Sequence, residues 1–215
     1  MANEARIRAM NNKIVIIDYG VGNISSVANA LTFLGYDFVI SNKKQDIEKG
    51  SSFILAGVGA FDEAMKNLKK LDLINILHNE VVVKKKPILG ICLGMQILAN
   101  SSEEGSQKGL GWIQGKVVSF PKEKTPRIPH VGWNTLSISE KKPLFERSDS
   151  GANYYFDHSF YFSSPKKNVL ATCKYGVEFA AAVKKDNIYG VQFHPEKSQT
   201  NGLKLFRSFF SHYNS

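Results

Sequence analysis

The segment "PILGICLGMQIL", residues 87–98, contains a sharp change from a strand-like to a helix-like pattern. An apolar run ends at Cys92, a glycine stands two positions to either side, and a second apolar run follows at helical spacing. A strand, a G-x-C-x-G turn and a helix form the cysteine version of the nucleophile elbow, which holds one reactive side chain on a sharp, strained turn. A helix beginning there favours thiolate over thiol. We predict a nucleophilic Cys92, against the alternative of a buried cysteine at a strand end.

Strand-like and helix-like segments alternate on both sides of this turn. The short apolar runs rich in β-branched residues are 13–20, 37–41, 52–57 and 87–92. Helical spacing follows in 23–34, from 61 onward, in 73–84 and after Cys92. Strands that alternate with helices favour a mostly parallel sheet flanked by helices on both faces.

The pattern changes from about Gly115, where short strand-like runs follow one another closely. They are 115–120, 133–139, 153–162, 168–175, 178–185 and 188–193, and a last helix covers 202–213. We predict an α/β fold with a central mostly parallel sheet and an added antiparallel β region in the C-terminal half.

The length of 215 residues suits a single domain. Residues 1–12 lack the apolar core of a signal peptide, so we predict a disordered extension over 1–12 and one domain over 13–215. No apolar run approaches the roughly 20 residues that span a bilayer. These features predict a cytoplasmic protein that does not enter a membrane.

The charge and the cysteines exclude several kinds of site. The net charge is +9, but the lysines are scattered and no nucleic-acid motif occurs, so we expect no nucleic-acid partner. Cys92 and Cys173 lie 81 residues apart without a CxxC or Cys/His ligand spacing. We therefore expect two free thiols, no metal and no cofactor, with Cys173 a buried strand residue.

A base for the cysteine stands in "YGVQFHPEKS", residues 189–198. His194 ends a predicted strand, and Glu196 follows two positions later, on the same side of an extended chain. Pro195 disfavours helix at His194. His194 can then take and return a proton while Glu196 holds its tautomer, which predicts a Cys92–His194–Glu196 triad. A strand-end histidine beside a surface glutamate is the alternative.

The loop "LAGVGAF", residues 55–61, supplies the third part of an acyl-transfer site. Its glycines allow a peptide N–H to turn toward the cysteine. Elbow enzymes use the N–H after the nucleophile, here Leu93, together with an N–H from a neighbouring strand–helix loop. We assign the second donor to Val58 and Gly59. A dinucleotide fingerprint would need a third spaced glycine, which this loop lacks.

These segments together resemble class I, or triad-type, glutamine amidotransferases. The segments "IDYGVGN", "GVGAF", "GICLGMQ", "SEEG", "GLGW", "PHVGWN", "HSF" and "YGVQFHPEKS" occur in the order typical of the histidine-pathway members, over residues 13 to 211. The resemblance implies that Cys92 attacks L-glutamine to form a glutamyl thioester, and that glutamate and ammonia are released. It also implies a heterodimer with a (β/α)8-barrel cyclase subunit, which uses the ammonia to make imidazole glycerol phosphate and AICAR.

The resemblance also implies roles for single residues. Gln96 is similar to the residue that helps to hold substrate glutamine, and the backbone of Ser159 and Phe160 resembles the clamp on its α-amino and carboxylate groups. The positions that match the partner interface are Asn23, Trp133 and Lys197. A core aromatic is the alternative for Trp133.

The sequence departs from the family pattern at several positions. Ala56 replaces the usual proline before G-V-G, which is expected to free the loop, and Asp157 and Phe160 replace an apolar residue and a tyrosine. Trp112 occurs also in paralogues that supply ammonia for amination of a surface-polysaccharide sugar, so that acceptor is an alternative. A partner-independent γ-glutamyl hydrolase and an inactive regulatory module are less favoured.

Overall fold

A computed structural model describes residues 13–139, 143–146, 149 and 151–213. The extension predicted for 1–12 lies outside the described residues. The strands are β1 (Ile14–Ile17), β2 (Phe38–Ser41), β3 (Ser52–Gly57), β4 (Ile88–Cys92), β5 (Ser101–Ser102), β6 (Lys116–Ser119), β7 (His130–Ile138), β8 (Asn153–His158), β9 (Phe160–Ser163), β10 (Val169–Tyr175), β11 (Val177–Lys185) and β12 (Ile188–Val191). None of the helices in this part of the chain is long and apolar enough to cross a bilayer.

The helices alternate with the first strands and close the chain. They are α1 (Ile24–Phe33), α2 (Lys44–Lys49), α3 (Phe61–Lys70), α4 (Leu73–His78), α5 (Leu93–Gln96) and α6 (Gln199–Tyr213). A π-helical turn, Asn79–Val83, continues α4, and short 3-10 turns cover Lys166–Asn168 and Pro195–Lys197.

Nine strands form one sheet in the order β2-β1-β3-β4-β12-β11-β10-β7-β8. The first five strands in this order are parallel, and the other four are added antiparallel. A small second sheet has the order β5-β6-β9. The predicted α/β class is confirmed, and the C-terminal strands extend the central sheet.

Helices cover both faces of the large sheet and bury two apolar cores. On one face α1 and α6 pack with residues such as Leu31, Phe206 and Phe210. On the other face α2, α3 and α4 pack with residues such as Ile47 and Leu68. Because β1, β3, β4 and β12 are buried along their whole lengths, their apolar side chains fill both cores.

Three predicted segments differ from the structure. The run 153–162 is not one strand. The strand is interrupted at Ser159, where the chain passes from β8 in the large sheet to β9 in the small one. The helix predicted over 73–84 is α-helical only to His78. The helix after Cys92 has only four residues, so the aligned peptide dipoles expected to favour a thiolate are few.

The turn between β4 and α5 depends on the two glycines around Cys92. A Cβ on Gly94 would overlap the carbonyl oxygen of Leu55 in β3, and a Cβ on Gly90 would lie 2.6 Å from the carbonyl oxygen of Gly94. This close backbone approach lets α5 begin directly over β3. Cys92 has φ 54° and ψ −108°, the strained conformation that the elbow pattern predicts.

Substitution of Gly94 tests this packing. We expect Gly94→Ala to destabilise the fold by about 3 kcal/mol, because a backbone carbonyl cannot rotate away from the added methyl group. Gly35→Ala is the control: unlike Gly94, Gly35 has a positive φ, but it has open space around it, so its cost is limited to about 1 kcal/mol of backbone strain. Denaturant unfolding measures both, and equal losses would contradict the packing argument.

Candidate active site

A cavity of about 260 Å³ opens at the carboxyl ends of β3 and β4. Seven of the predicted site residues line it, namely Val58, Gly59, Cys92, Leu93, Gln96, Ser159 and Phe160. The remaining lining residues are Glu104, Pro129, Asp157 and His158. Ligands of open α/β sheets bind at this edge, so the fold brings the predicted nucleophile, oxyanion loop and substrate clamp together there.

Cys92 is part of the cavity wall, and His194 and Glu196 lie behind it. The strand β12, which ends just before His194, is the parallel neighbour of β4, which ends at Cys92. His194 Nδ1 lies 2.8 Å from Glu196 Oε1, and the side chains of both residues are only 2% exposed. Since Nδ1 is occupied, the buried Nε2 is the nitrogen left to interact with the Cys92 sulfur.

The backbone around His194 is fixed on two sides. The His194 N–H donates to the Tyr155 carbonyl oxygen at 2.8 Å, and its carbonyl accepts from Ser198 Oγ at 2.6 Å. Ser198 Oγ also accepts from the N–H of Tyr155 at 3.0 Å. These bonds tie the end of β12 to β8, so the imidazole ring has a defined position.

The charges around His194 favour its protonated form. Burial by itself would lower the pKa of His194, but interaction with Cys92 and with Glu196 outweighs burial and raises the pKa to about 10. The imidazolium form of His194 is therefore favoured near neutral pH. This arrangement can hold and transfer one proton.

The predicted oxyanion donors line the same cavity as Cys92. Leu93 begins α5 directly after Cys92, and Val58 and Gly59 directly follow β3. Gly57 is paired with Cys92 in the ladder between β3 and β4. Ala56 lies inside β3 and is buried, so the loop is free only after Gly57. Unlike proline, alanine keeps an N–H for the ladder.

Gln96 is part of a hydrogen-bond network at the floor of the cavity. Its Nε2 donates to the Phe160 carbonyl oxygen at 2.9 Å and to Gln192 Oε1 at 3.1 Å. Gln192 Nε2 lies 3.7 Å from the Cys92 sulfur. The Gln96 amide nitrogen is therefore committed to the protein, and its Oε1 is the atom that can serve a substrate.

The departures from the family pattern have local explanations. Phe160 acts here through its carbonyl, so the hydroxyl of a tyrosine is not needed for the bond with Gln96. The Asp157 side chain is exposed at the cavity, and its carbonyl oxygen lies 3.8 Å from the Cys92 sulfur. Trp112 is buried in the core on the α3 face, 6.4 Å from the ring of His78, where packing accounts for it.

The predicted interface residues lie near the triad. Trp133 is 48% exposed, so the core alternative is wrong, and its ring is 6.1 Å from that of Tyr155. Lys197 Nζ lies 5.4 Å from the centroid of the same Tyr155 ring. Asn23 precedes α1, which packs against the Pro195–Lys197 turn, and donates to Ser26 Oγ at 2.6 Å.

Four residues at the site were assigned no role from the sequence. Gln192 precedes His194 by two positions in an extended chain, so period-2 alternation could have placed both side chains on one side. Tyr155, His130 and His158 contact the site through the register of β7 and β8, which the sequence alone does not provide.

Other reactive groups lie away from this chemistry. Cys173 is a free thiol buried in β10, and burial raises its pKa to about 12. Within the described ranges, no group of three or more His, Cys, Asp or Glu side chains is arranged to hold a metal ion.

Similarity to solved structures extends over the whole fold. The structure of PurLQS from Thermotoga maritima matches with a TM-score of 0.72 and 19% identity, over 94% of this chain and 99% of that one. A glutamine amidotransferase from the same organism matches with a TM-score of 0.66 and 18% identity, over 95% of this chain and 99% of that one. At these identities the likeness concerns the fold alone.

Relatives found by sequence comparison have higher identities. Imidazole glycerol phosphate synthase subunit HisH 2 of Methanococcus maripaludis is 51% identical, over 91% of this chain and 98% of that protein. The subunit of the same name from Vibrio vulnificus is 50% identical, over 92% and 93%. The family model described as Glutamine amidotransferase class-I matches residues 15–213. The chain therefore belongs to the class I glutamine amidotransferase family.

Proposed function

We propose that this protein is the glutaminase subunit of imidazole glycerol phosphate synthase. It hydrolyses L-glutamine and supplies ammonia to a (β/α)8-barrel cyclase subunit that makes imidazole glycerol phosphate and AICAR in histidine biosynthesis. The observation that carries this proposal is the convergence of Cys92, His194 and Glu196 beside a cavity at the carboxyl edge of the sheet. The names of the relatives support the histidine pathway over the sugar-amination alternative.

The first chemical step forms a thioester. The Cys92 thiolate attacks the side-chain carboxamide carbon of glutamine, and the carbonyl electrons move to the oxygen. His194 then gives its proton to the amide nitrogen, the C–N bond breaks, and ammonia leaves. Glu196 keeps the imidazolium oriented through the 2.8 Å bond to Nδ1.

The second step releases glutamate. A water molecule attacks the glutamyl thioester, and neutral His194 takes its proton as a general base. The C–S bond breaks, glutamate leaves and the thiolate–imidazolium pair is restored. Both steps place negative charge on the same substrate oxygen, for which the N–H of Leu93 and an N–H of the Val58–Gly59 loop are the proposed donors.

The polar lining of the cavity suits glutamine. A volume of about 260 Å³ is close to the lower end of the roughly 300–1,000 Å³ typical of small-molecule pockets, which fits one amino acid. The carboxylates of Glu104 and Asp157 complement an α-ammonium group at the entrance. Gln96 Oε1 and the backbone of Ser159 and Phe160 are the proposed contacts for the remaining polar groups of the substrate.

The partner surface is proposed to include Asn23, Trp133 and Lys197. An exposed tryptophan and a lysine packed on one tyrosine ring form the kind of aromatic cluster that anchors protein interfaces. A partner seated there would cover the neighbourhood of the triad. Ammonia released beneath a sealed interface would be protected from protonation by bulk water.

Ammonia release from glutamine is the direct test of the proposal. We expect strong turnover only with the cyclase subunit of the same organism and its nucleotide ligand present. Cys92→Ala should abolish turnover and also prevent stoichiometric labelling by a chloroketone analogue of glutamine. Cys173→Ala is the matched control and should behave as the wild type, because Cys173 is buried outside the site.

Other outcomes of this experiment identify the alternatives. Full turnover without a partner would indicate a γ-glutamyl hydrolase. Activation by a sugar-aminating synthase instead of the cyclase would indicate the surface-polysaccharide pathway. The absence of labelling at Cys92 with a partner bound would indicate a regulatory module.

The charge on Glu196 should set the proton affinity of His194. Glu196→Gln removes a negative neighbour, so the pKa of His194 should fall from its raised value and the imidazolium should be lost at lower pH. NMR titration of labelled histidine measures this shift. Glu48→Gln, at an exposed position in α2, is the control and should leave the titration unchanged. An unchanged midpoint in Glu196→Gln would contradict the assigned pairing.

Truncation of Trp133 should weaken the partner interface. We expect Trp133→Ala to raise the Kd for the cyclase about thirtyfold, the effect of losing about 2 kcal/mol at an aromatic anchor. Val83→Ala is the control, because Val83 is equally apolar and 64% exposed but lies before the amino end of β4, away from the site. Calorimetry measures both affinities. Equal affinities for the two variants would place the interface elsewhere.

A further inference from the structure

A series of hydrogen bonds, separate from the bond between Gln96 and Gln192, connects the cavity with strand β7. By the alternation of a strand, His130 and Asn134 share one side of β7, whereas Val131 and Trp133 are 54% and 48% exposed on the other side. The register with β8 places His130 opposite His158, which lines the cavity. One strand therefore carries both the proposed partner surface and a residue bonded to the cavity wall.

In this series each group donates a hydrogen bond to the next one toward the cavity. The Phe160 carbonyl can only accept, so His158 Nδ1, 2.8 Å away, carries a proton. In a neutral ring His158 Nε2 is then an acceptor, and His130 Nδ1 at 3.0 Å must donate to it. His130 Nε2 accepts in turn from Asn134 Nδ2 at 3.4 Å. We call Asn134, His130, His158 and the Phe160 carbonyl the histidine relay.

The surroundings of the two rings keep them neutral and fixed. Burial lowers the pKa of His158 to about 3 and that of His130 to about 4. The His130 ring stacks on Tyr175 and Phe156, with centroid distances of 3.9 and 4.8 Å and interplanar angles of 22° and 24°. Neither ring can change its tautomer without losing a hydrogen bond. A displacement of one ring therefore shifts the next one in the relay without any proton transfer.

The inner end of the relay is shared with the nucleophile's network. The Phe160 carbonyl oxygen accepts from both His158 and Gln96. Gln96 in turn contacts Gln192, whose Nε2 lies 3.7 Å from the Cys92 sulfur. A displacement of His158 therefore moves an oxygen that also positions Gln96.

We propose that His130 and His158 are positioning residues that hold the Phe160 carbonyl, and through it Gln96, in a geometry set by strand β7. A partner bound to the exposed face of β7 then stimulates glutamine hydrolysis by fixing this wall of the cavity. This inference rests on the proposed function, since it assigns a regulation to the same site.

The tautomers give a test that needs no partner. Long-range proton–nitrogen NMR of the labelled full chain should find the proton on Nδ1 in both His130 and His158. A proton on Nε2 of either ring would reverse or break the relay and overturn the proposal.

Two substitutions of His130 separate hydrogen bonding from packing. His130→Phe keeps a ring against Tyr175 and Phe156 but removes the donor to His158. His130→Asn keeps a donor close to the Nδ1 position but removes the ring. In the cyclase complex we expect His130→Phe to raise KM for glutamine and to reduce stimulation by the partner about tenfold, the effect of one hydrogen bond. His130→Asn should stay within about threefold of the wild type, whereas a packing role predicts the reverse order.

A third variant and two controls complete the design. Asn134→Asp, at a half-buried position, turns the first donor into an acceptor, which demands the opposite tautomer of His130 and should reproduce the loss seen in His130→Phe. Cyclase affinity should remain close to wild type, because the exposed face of β7 is unchanged. Thermal unfolding measures separately the loss of the bond from Asn134 Nδ2 to the Lys174 carbonyl oxygen. Full stimulation in both His130→Phe and Asn134→Asp would overturn this inference but would leave the proposed function intact. A wild-type complex that does not hydrolyse glutamine would overturn the proposed function, and this inference with it.

Discussion

The contact between the backbone of α5 and the end of β3 is the constraint on which the site depends. The carbonyl oxygen of Leu55 occupies the space that a side chain at Gly94 would need, so α5 can start directly over the sheet only because residue 94 has none. The chain must then turn within one residue after β4, and Cys92 takes a positive φ. The strain of about 1–3 kcal/mol expected for such a backbone is balanced by the packing of two apolar cores against the same strands.

The order of three adjacent parallel strands explains why the parts of the site meet. β3, β4 and β12 are neighbours in the sheet, and their carboxyl ends lead to the Val58–Gly59 loop, to Cys92 and to His194. The chain reaches β12 only after nearly one hundred further residues, which include the whole antiparallel extension of the sheet. The base is therefore close to the nucleophile because of sheet topology, and its distance along the sequence has no bearing on the chemistry.

The local parts of this arrangement were predictable from sequence, and the long-range parts were not. Gly90, Cys92 and Gly94 carry the elbow in five consecutive residues, and a histidine and a glutamate two apart carry the other half of the triad. The interruption between β8 and β9 at Ser159 could not be predicted from the sequence, because the residues on both sides of it are rich in aromatic side chains that suit a strand. The contact between His130 and His158 depends on a β7–β8 register that no turn motif announces.

The two halves of the site differ in whether their buried polar atoms have hydrogen-bond partners within the protein. In the clamp half, the side chains of Gln96, Gln192 and His158 are all tied by hydrogen bonds within the protein. In the reactive half, His194 Nε2 and Glu196 Oε2 are buried without a geometrically regular partner. Leaving buried polar atoms unpaired costs roughly 1–3 kcal/mol each, so a fold retains them where they serve chemistry. The clamp can thus receive a substrate without rearrangement, while His194 Nε2 stays available to give a proton to the leaving ammonia and to take one back from water.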